Sequence, residues 1–250
     1  MLGDCCVGML SANMRTTKQK SPKYWGLTSK QGKLRLMLCL VVIAANSLHA
    51  TQSSTNFAIF MSVLSSRYGT SATERGTAWQ SALKNLESQP VSQQLSGINR
   101  FFNQTIRWQS DEEIYGETDF WATPTETLGL GRGDCEDFTI AKYVSLRQLG
   151  VPADQLRLTY VKLQMSGGRS QAHMVLAWYQ NPGSIPLILD NANAQILPAS
   201  QRRDLRPIFS FTSDALWIAG NKQTDNINPS SRLSQWRQML NRAQAEGITL

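Results

Sequence analysis

The run GRGDCEDFTIAKYVSLRQLG, Gly131–Gly150, decides the fold. From Cys135 to Leu149 it reads as one helix, ended by Gly150 and by Pro152 just beyond. After that break the hydrophobic period changes from helical to alternating. Leu156, Leu158 and Tyr160 alternate with Arg157, Thr159 and Val161, and Ser166-Gly167-Gly168-Arg169 makes a turn. Ala172–Tyr179 is apolar and β-rich, Asn181-Pro182-Gly183-Ser184 is a second turn, and Ile185–Leu189 follows. Phe209–Phe211 and Leu216–Ile218 add a strand or two to this antiparallel meander. On the amino-terminal side the pattern is helical. Thr73-Glu74 opens a helix with Trp79, Leu83 and Leu86 on one face, stopped by Ser88-Gln89-Pro90. Pro90 then starts a second helix with Val91, Leu95, Ile98, Phe102 and Ile106 at helical steps. A Gly- and acid-rich connection spans Ser110 to Gly133, and a last helix from about Arg232 carries Leu233, Trp236, Leu240 and Ala243. A helical lobe followed by a meander predicts an α+β domain, the helices packed on an antiparallel sheet.

The charge of the chain is concentrated at its start. Of the 25 Lys and Arg residues in 250, seven (Arg15, Lys18, Lys20, Lys23, Lys30, Lys33, Arg35) fall in residues 1–35 against Asp4 alone. The net +7 therefore describes a leader, and the nearly balanced remainder excludes a nucleic-acid binder. The basic run, the apolar stretch Leu36–Ala45 and the polar Thr51-Gln52-Ser53-Ser54 read as a secretory signal peptide over residues 1–50, with cleavage near Ala50 and Met14 as an alternative start. Its apolar stretch is about half the ~20 residues that a membrane span needs. Residues 51–250 are then an exported domain, expected in the periplasm. Cys5, Cys6, Cys39 and His49 all precede that domain, which keeps Cys135 and His173 as its sole thiol and imidazole and excludes an internal disulfide scaffold. Arg202, Arg203 and Arg206 are expected to form a solvated basic patch.

The chemistry gathers around Cys135. A thiol in the first turn of a helix sits among N–H groups that lack intrahelical acceptors, at the positive end of the dipole, and its thiolate is favoured. A lone cysteine is more commonly a small inert core residue, but three flanking carboxylates and two glycines argue against that here. His173 gains a partner if the 181–184 turn closes a hairpin with Gln180 opposite Ile185. That register sets His173 opposite Ala192 and makes Asp190 its diagonal neighbour on the same face, ~7–8 Å away between Cα atoms. Asp190 would then hold the tautomer of His173 for proton exchange with the thiol; the competing reading is that Asp190 merely begins the turn Asp190–Asn193. Asp134, Glu136 and Asp137 offer oxygen ligands for a hard cation such as calcium, or they are ordinary helix caps and dipole partners. A cation would offset the tendency of three carboxylates to raise the thiol pKa.

Several spaced motifs together resemble the bacterial transglutaminase-like cysteine proteinases. They are Asp119-Phe120-Trp121-Ala122-Thr123-Pro124-Thr125-Glu126, Gly131-x-Gly133-Asp134-Cys135-Glu136-Asp137-Phe138, Ala141-Lys142-Tyr143, Leu149-Gly150, Ala172-His173-Met174-Val175 and Leu189-Asp190-Asn191, within roughly Thr73–Leu197. The resemblance implies a papain-like or transglutaminase-like core and a thiol protease with Cys135, His173 and Asp190 as its triad. It also implies calcium dependence through Asp134 and Glu136, with Asp137 as a third ligand. Its implied substrate is a large outer-membrane-associated adhesin, cut near a di-alanine in its amino-terminal region, and its implied inhibitory partner is an inner-membrane cyclic di-GMP receptor of the LapD type. The alternatives are a transglutaminase-type acyl transferase, which shares the triad, and a non-catalytic periplasmic binding module.

Overall fold

An apolar and an amphipathic helix open the domain, packed together because neither can bury its apolar face alone. The computed structural model describes residues 53–212, 216–218 and 229–250, so the expected signal peptide over residues 1–50, with its three cysteines, lies outside the described residues. After β1 (Ser54–Thr55), Asn56 caps α1 (Phe57–Tyr68) by accepting from the N–H groups of Ala58 and Ile59. Helix α1 has no counterpart in the sequence analysis: Phe57, Phe60, Leu64 and Tyr68 recur at helical steps, but the almost continuous apolar run Phe57–Met61 masks that spacing. Helix α2 (Thr70–Leu86) buries Trp79 and Leu83, and α3 (Val91–Thr105) buries Leu95, Ile98 and Phe102, as their periodicity predicts. The 110–133 connection is more ordered than expected. It contains α4 (Asp111–Tyr115) and α5 (Pro124–Leu130), the latter closed by a reciprocal Thr123–Glu126 capping box with Pro124 in its first turn. Short β2 (Arg107–Trp108) and β3 (Arg132–Gly133) pair in parallel on either side of it.

Helix α6 (Cys135–Gln148) follows, then the strands β4 (Leu156–Gln164), β5 (Ser170–Trp178), β6 (Leu187–Leu189), β7 (Leu197–Pro198), β8 (Leu205–Phe211) and β9 (Leu216–Ile218). They form one sheet in the order β7-β6-β5-β4-β8-β9, every neighbour antiparallel. Helix α7 (Pro229–Ala245) and β10 (Ile248–Thr249), which pairs with β1, end the chain. Alternation along each strand divides the sheet. Leu156, Leu158, Tyr160, Met174, Leu176, Phe209 and Phe211 meet Ile140, Tyr143 and Val144 of α6 in the main core, while Val161, Val175, Ala177 and Ile188 form a smaller cluster on the other face. Trp79 ties the lobes together, its indole N–H donating to Ser145 Oγ of α6 at 2.9 Å.

The β5–β6 register is the expected one: Leu176 pairs with Leu189, Ala177 with Ile188 and Trp178 with Leu187. The pairing does not continue to Gln180 and Ile185, since Pro186 lacks an N–H and β6 begins only after it.

Candidate active site

The approach to Cys135 is fixed by backbone bonds. Helix α5 ends on Gly131 in the left-handed conformation (φ 65°), which turns the chain into β3. There Arg107 N–H donates to Gly131 O and Gln109 N–H to Gly133 O, each at 3.0 Å. Asp134 then caps α6, accepting from Glu136 N–H at 3.2 Å, while Asp137 Oδ2 accepts from Asp134 N–H at 3.2 Å and its Oδ1 from Ala122 N–H at 2.8 Å. Gly133 has no room for a side chain: a Cβ there would lie 2.6 Å from Asp137 Oδ2 and 2.8 Å from Asp137 Cβ, both buried and held. Gly133→Ala is therefore expected to break this capping box, costing roughly 1–3 kcal/mol in a denaturant titration and lowering activity per folded molecule.

These contacts place Cys135 at the first position of α6, half-buried. Thr139 Oγ1 lies within hydrogen-bond distance of Cys135 O (2.9 Å) and Met174 O (3.1 Å), joining that first turn to β5 beside His173. On β5, strand β6 covers only Leu176–Trp178, and α6 meets β5 beyond that pairing, at Met174. The thiol is 2.7 Å from Glu136 Oε2. Burial, the charges of Glu136 and Asp134 and this hydrogen bond push the Cys135 thiol well up, against a smaller opposing effect of the Met174 backbone N–H.

On β5, His173 is buried and its Nε2 lies 2.7 Å from Asp190 Oδ1, so the diagonal pairing is direct. Asp190 Oδ1 also accepts from Ala192 N–H at 2.9 Å, the Asx turn of the competing reading, and both roles coexist. Asn103 of α3 donates to Asp190 O at 2.8 Å. Burial would raise the Asp190 carboxyl, but the hydrogen bonds and charges around it, His173 first, hold it at about 2.

Arg202 corrects the expectation of a solvated patch. Arg203 and Arg206 are exposed, but Arg202 is 3% exposed, with Nη2 2.7 Å from Asp190 Oδ2 and 2.7 Å from Asp204 Oδ2. Asp204 turns the guanidinium inward, and a carboxylate as buried as Asp190 requires such a partner. Nothing in the spacing of three arginines says which of them faces inward.

Asp111 is the other residue the sequence reading passed over. It opens α4, 2% exposed; its Oδ2 accepts from Phe120 N–H at 2.6 Å, and its buried Oδ1 has no hydrogen-bond partner. Burial and the nearby carboxylates of Glu136, Asp119 and Glu117 push it to about 6, against the Phe120 hydrogen bond. Three groups bring potential ligand atoms within 4.8 Å of one another: Asp111, Asp119 and Glu136; Asp111, Asp134 and Asp137; and Asp134, Cys135 and Glu136. Asp134 and Asp137 are both raised, first by burial and then by their acidic neighbours. The run Ser110-Asp111-Glu112-Glu113 carried a signal for Asp111, but an acid-rich helix start is ordinarily read as dipole compensation.

Residues 68–204 match the model of the bacterial transglutaminase-like cysteine proteinases. The chain belongs to this family. Among solved structures it is similar to Legionella pneumophila LapG, with 40% identity and a TM-score of 0.62 over 74% of this chain and 96% of the other. The EGTA-treated form of that protein matches at 40% identity, TM-score 0.63, over 74% of this chain and 96% of the other. Its calcium-bound form matches at 39% identity, TM-score 0.62, over 74% and 98%. A comparison with curated proteins gives no match. Family membership makes this domain a LapG-like cysteine proteinase with a transglutaminase-like fold, helices against an antiparallel sheet.

Proposed function

We propose that this proteinase uses Cys135, His173 and Asp190 as a catalytic triad, requires calcium, and acts in the periplasm to cut the amino-terminal region of a large surface adhesin. The observation that carries the triad is the buried His173 Nε2–Asp190 bond beside the residue whose carbonyl meets the first turn of α6. With Nε2 committed to Asp190, Nδ1 is the nitrogen left to exchange a proton with the thiol. Cys135 Sγ, its proton passed to His173, attacks the scissile carbonyl carbon. The backbone N–H of Cys135, at the helix start, donates to the developing oxyanion. His173 then delivers the proton to the departing amine, and water attacking the thioester restores the thiol and releases the acid.

The acid cluster fits a hard cation. Asp111, Asp134, Glu136 and Asp119 supply only oxygen, the buried Asp111 Oδ1 is without a partner, and the carboxyls of Asp111 and Asp134 are driven toward protonation by burial and then by their acidic neighbours. Asp137, the third ligand that the resemblance implies, lies in one group of ligand atoms with Asp111 and Asp134, and its oxygens also accept backbone N–H groups that brace Asp134. When bound, calcium supplies positive charge that offsets the carboxylates around Cys135 and favours the thiolate.

The adhesin substrate, the di-alanine cleavage site, dispersal of biofilm and restraint by a LapD-type cyclic di-GMP receptor are proposed from the likeness to LapG. Export is proposed from the signal-like residues 1–50. No helix among the described residues is long and apolar enough to cross a membrane. The test is to incubate residues 51–250 with a purified adhesin amino-terminal fragment, with calcium and with EGTA, and to map products by mass spectrometry. Calcium-dependent hydrolysis at one peptide bond is expected. Incorporation of an added primary amine in place of water would identify an acyl transferase, and no reaction with any adhesin fragment would refute the substrate assignment.

A further inference from the structure

We infer that Arg202 is a positioning residue for this hydrolysis, a buried cation that fixes the second oxygen of Asp190 and, through it, the ring of His173. The inference rests on the triad reading above. A carboxylate can rotate about its Cβ–Cγ bond, so one hydrogen bond does not hold an imidazole in a single plane. In Asp190, Oδ1 takes His173 Nε2 and Ala192 N–H, and Oδ2 takes Arg202 Nη2 at 2.7 Å. Both ends of the carboxylate are thereby pinned, in a position 1% exposed.

Arg202 is itself held. Its Nε lies 3.0 and 3.3 Å from the two oxygens of Asp204, and the same Nη2 that reaches Asp190 is 2.7 Å from Asp204 Oδ2. The rigid fork of a guanidinium can face two carboxylates at once, whereas an ammonium on a flexible stem is a single point of charge. Asp204, 39% exposed at its side chain, connects this pair to the surface, while the Arg202 side chain is 2% exposed. Arg202 borders a cavity of about 300 Å³ walled by Val161, Val175, Ala177 and Ile188, on the face of the sheet turned away from α6. Apolar walls lower the local dielectric and strengthen the pair. Among the described residues Lys142 of α6 also feels the charge of Asp190, but its Nζ makes no hydrogen bond, so it does not fix the orientation of the carboxylate.

The sequence His173–Asp190–Arg202–Asp204 is thus a continuous hydrogen-bonded chain, buried from His173 to Arg202 and reaching the surface at Asp204, in which only His173 exchanges a proton with the thiol. Losing Arg202 leaves the groups that bind substrate in place and loosens the base.

The test measures kcat and KM separately for cleavage of a purified adhesin amino-terminal fragment by residues 51–250 in calcium. Arg202→Met is expected to lower kcat roughly 10- to 100-fold, by analogy with the loss on removing an outer-shell partner of a metal-bound histidine or carboxylate, with KM nearly unchanged. Arg202→Lys should recover part of that loss, and only part. Added to Asp190→Asn, Arg202→Met should cost little more, because both act through one carboxylate. Wild-type kcat in a folded Arg202→Met protein, or fully additive losses in the double variant, would overturn the inference. If Arg202→Met does not fold, Arg202→Lys decides: a reduced kcat at normal melting temperature supports the role, and a wild-type kcat refutes it. Full activity of Asp190→Ala would unseat the triad itself, a different result from an active Arg202 variant beside an inactive Asp190 one.

Discussion

Cys135→Ser and His173→Ala each abolish cleavage, with an expected loss in kcat on the order of 10⁴-fold or more, while the protein stays folded. After residue 50 the chain has no second thiol or imidazole to take over. A serine hydroxyl at Cys135 would have to be activated by a base placed for a larger, more acidic sulfur atom. The folded state should tolerate both changes. Cys135 is half-buried and lies at the edge of the core, and removal of His173 still leaves Asp190 bonded to Ala192 N–H and Arg202. The double variant should be no slower than the slower single one, because the two residues act as a unit. Asp190→Ala is expected to be severe but less complete in activity and more costly in stability, since it strips the buried Arg202 of one of its two carboxylates. Product formation by mass spectrometry and melting by circular dichroism check these outcomes together. Cleavage at the wild-type rate by Cys135→Ser would show that the thiol is not the nucleophile.

Excess EGTA is expected to stop cleavage and lower the melting temperature, and calcium to restore both better than magnesium, which fits crowded all-protein cages poorly. At a concentration about 100 times its dissociation constant, a ligand bound only by the folded state adds about 2.7 kcal/mol of stability. For a domain of this size that is a rise of roughly 5–10 °C. Asp134→Ala does not by itself separate a metal ligand from a helix cap, because Asp134 accepts from Glu136 N–H and closes the capping box with Asp137. Asp111→Asn does separate them. Asp111 takes no part in capping α6, yet one of its carboxylate oxygens lies within 4.8 Å of ligand atoms of Asp134 and Asp137, and its buried Oδ1 has no hydrogen-bond partner. If the cluster holds calcium, Asp111→Asn should weaken the calcium response of both activity and melting; if the acids only cap α6, it should leave activity intact. Undiminished activity in excess chelator, with no calcium-linked melting shift, would leave these residues as caps.

Local physics made much of this protein legible in advance. The helical spacing of Val91, Leu95, Ile98 and Phe102 specifies a buried stripe whatever it packs against, and the alternation along Leu156–Val161 specifies a two-faced strand. The hairpin register is also local: turn length and side-chain parity put His173 and Asp190 on one face, and their ring nitrogen and oxygen meet at 2.7 Å. Asp134 and Asp137 announce a helix start because capping involves groups three residues apart.

Contacts between distant segments were decided only by the tertiary structure. Arg202 among three similar arginines and Asp111 in an acid-rich turn are indistinguishable from solvated charges until burial is known. Burial depends on which segments close over them: Asp111 is bonded by Phe120 N–H, and Arg202 meets Asp190. The join of Cys135 to β5 through Thr139 and Met174 is likewise a meeting of a helix start with a strand 35 residues away. Short-range periodicity determined most of the elements, and the count of thiols and imidazoles after residue 50 singled out Cys135 and His173. The cost of burying charge, which exists only once the chain has closed on itself, determined the partners that hold them.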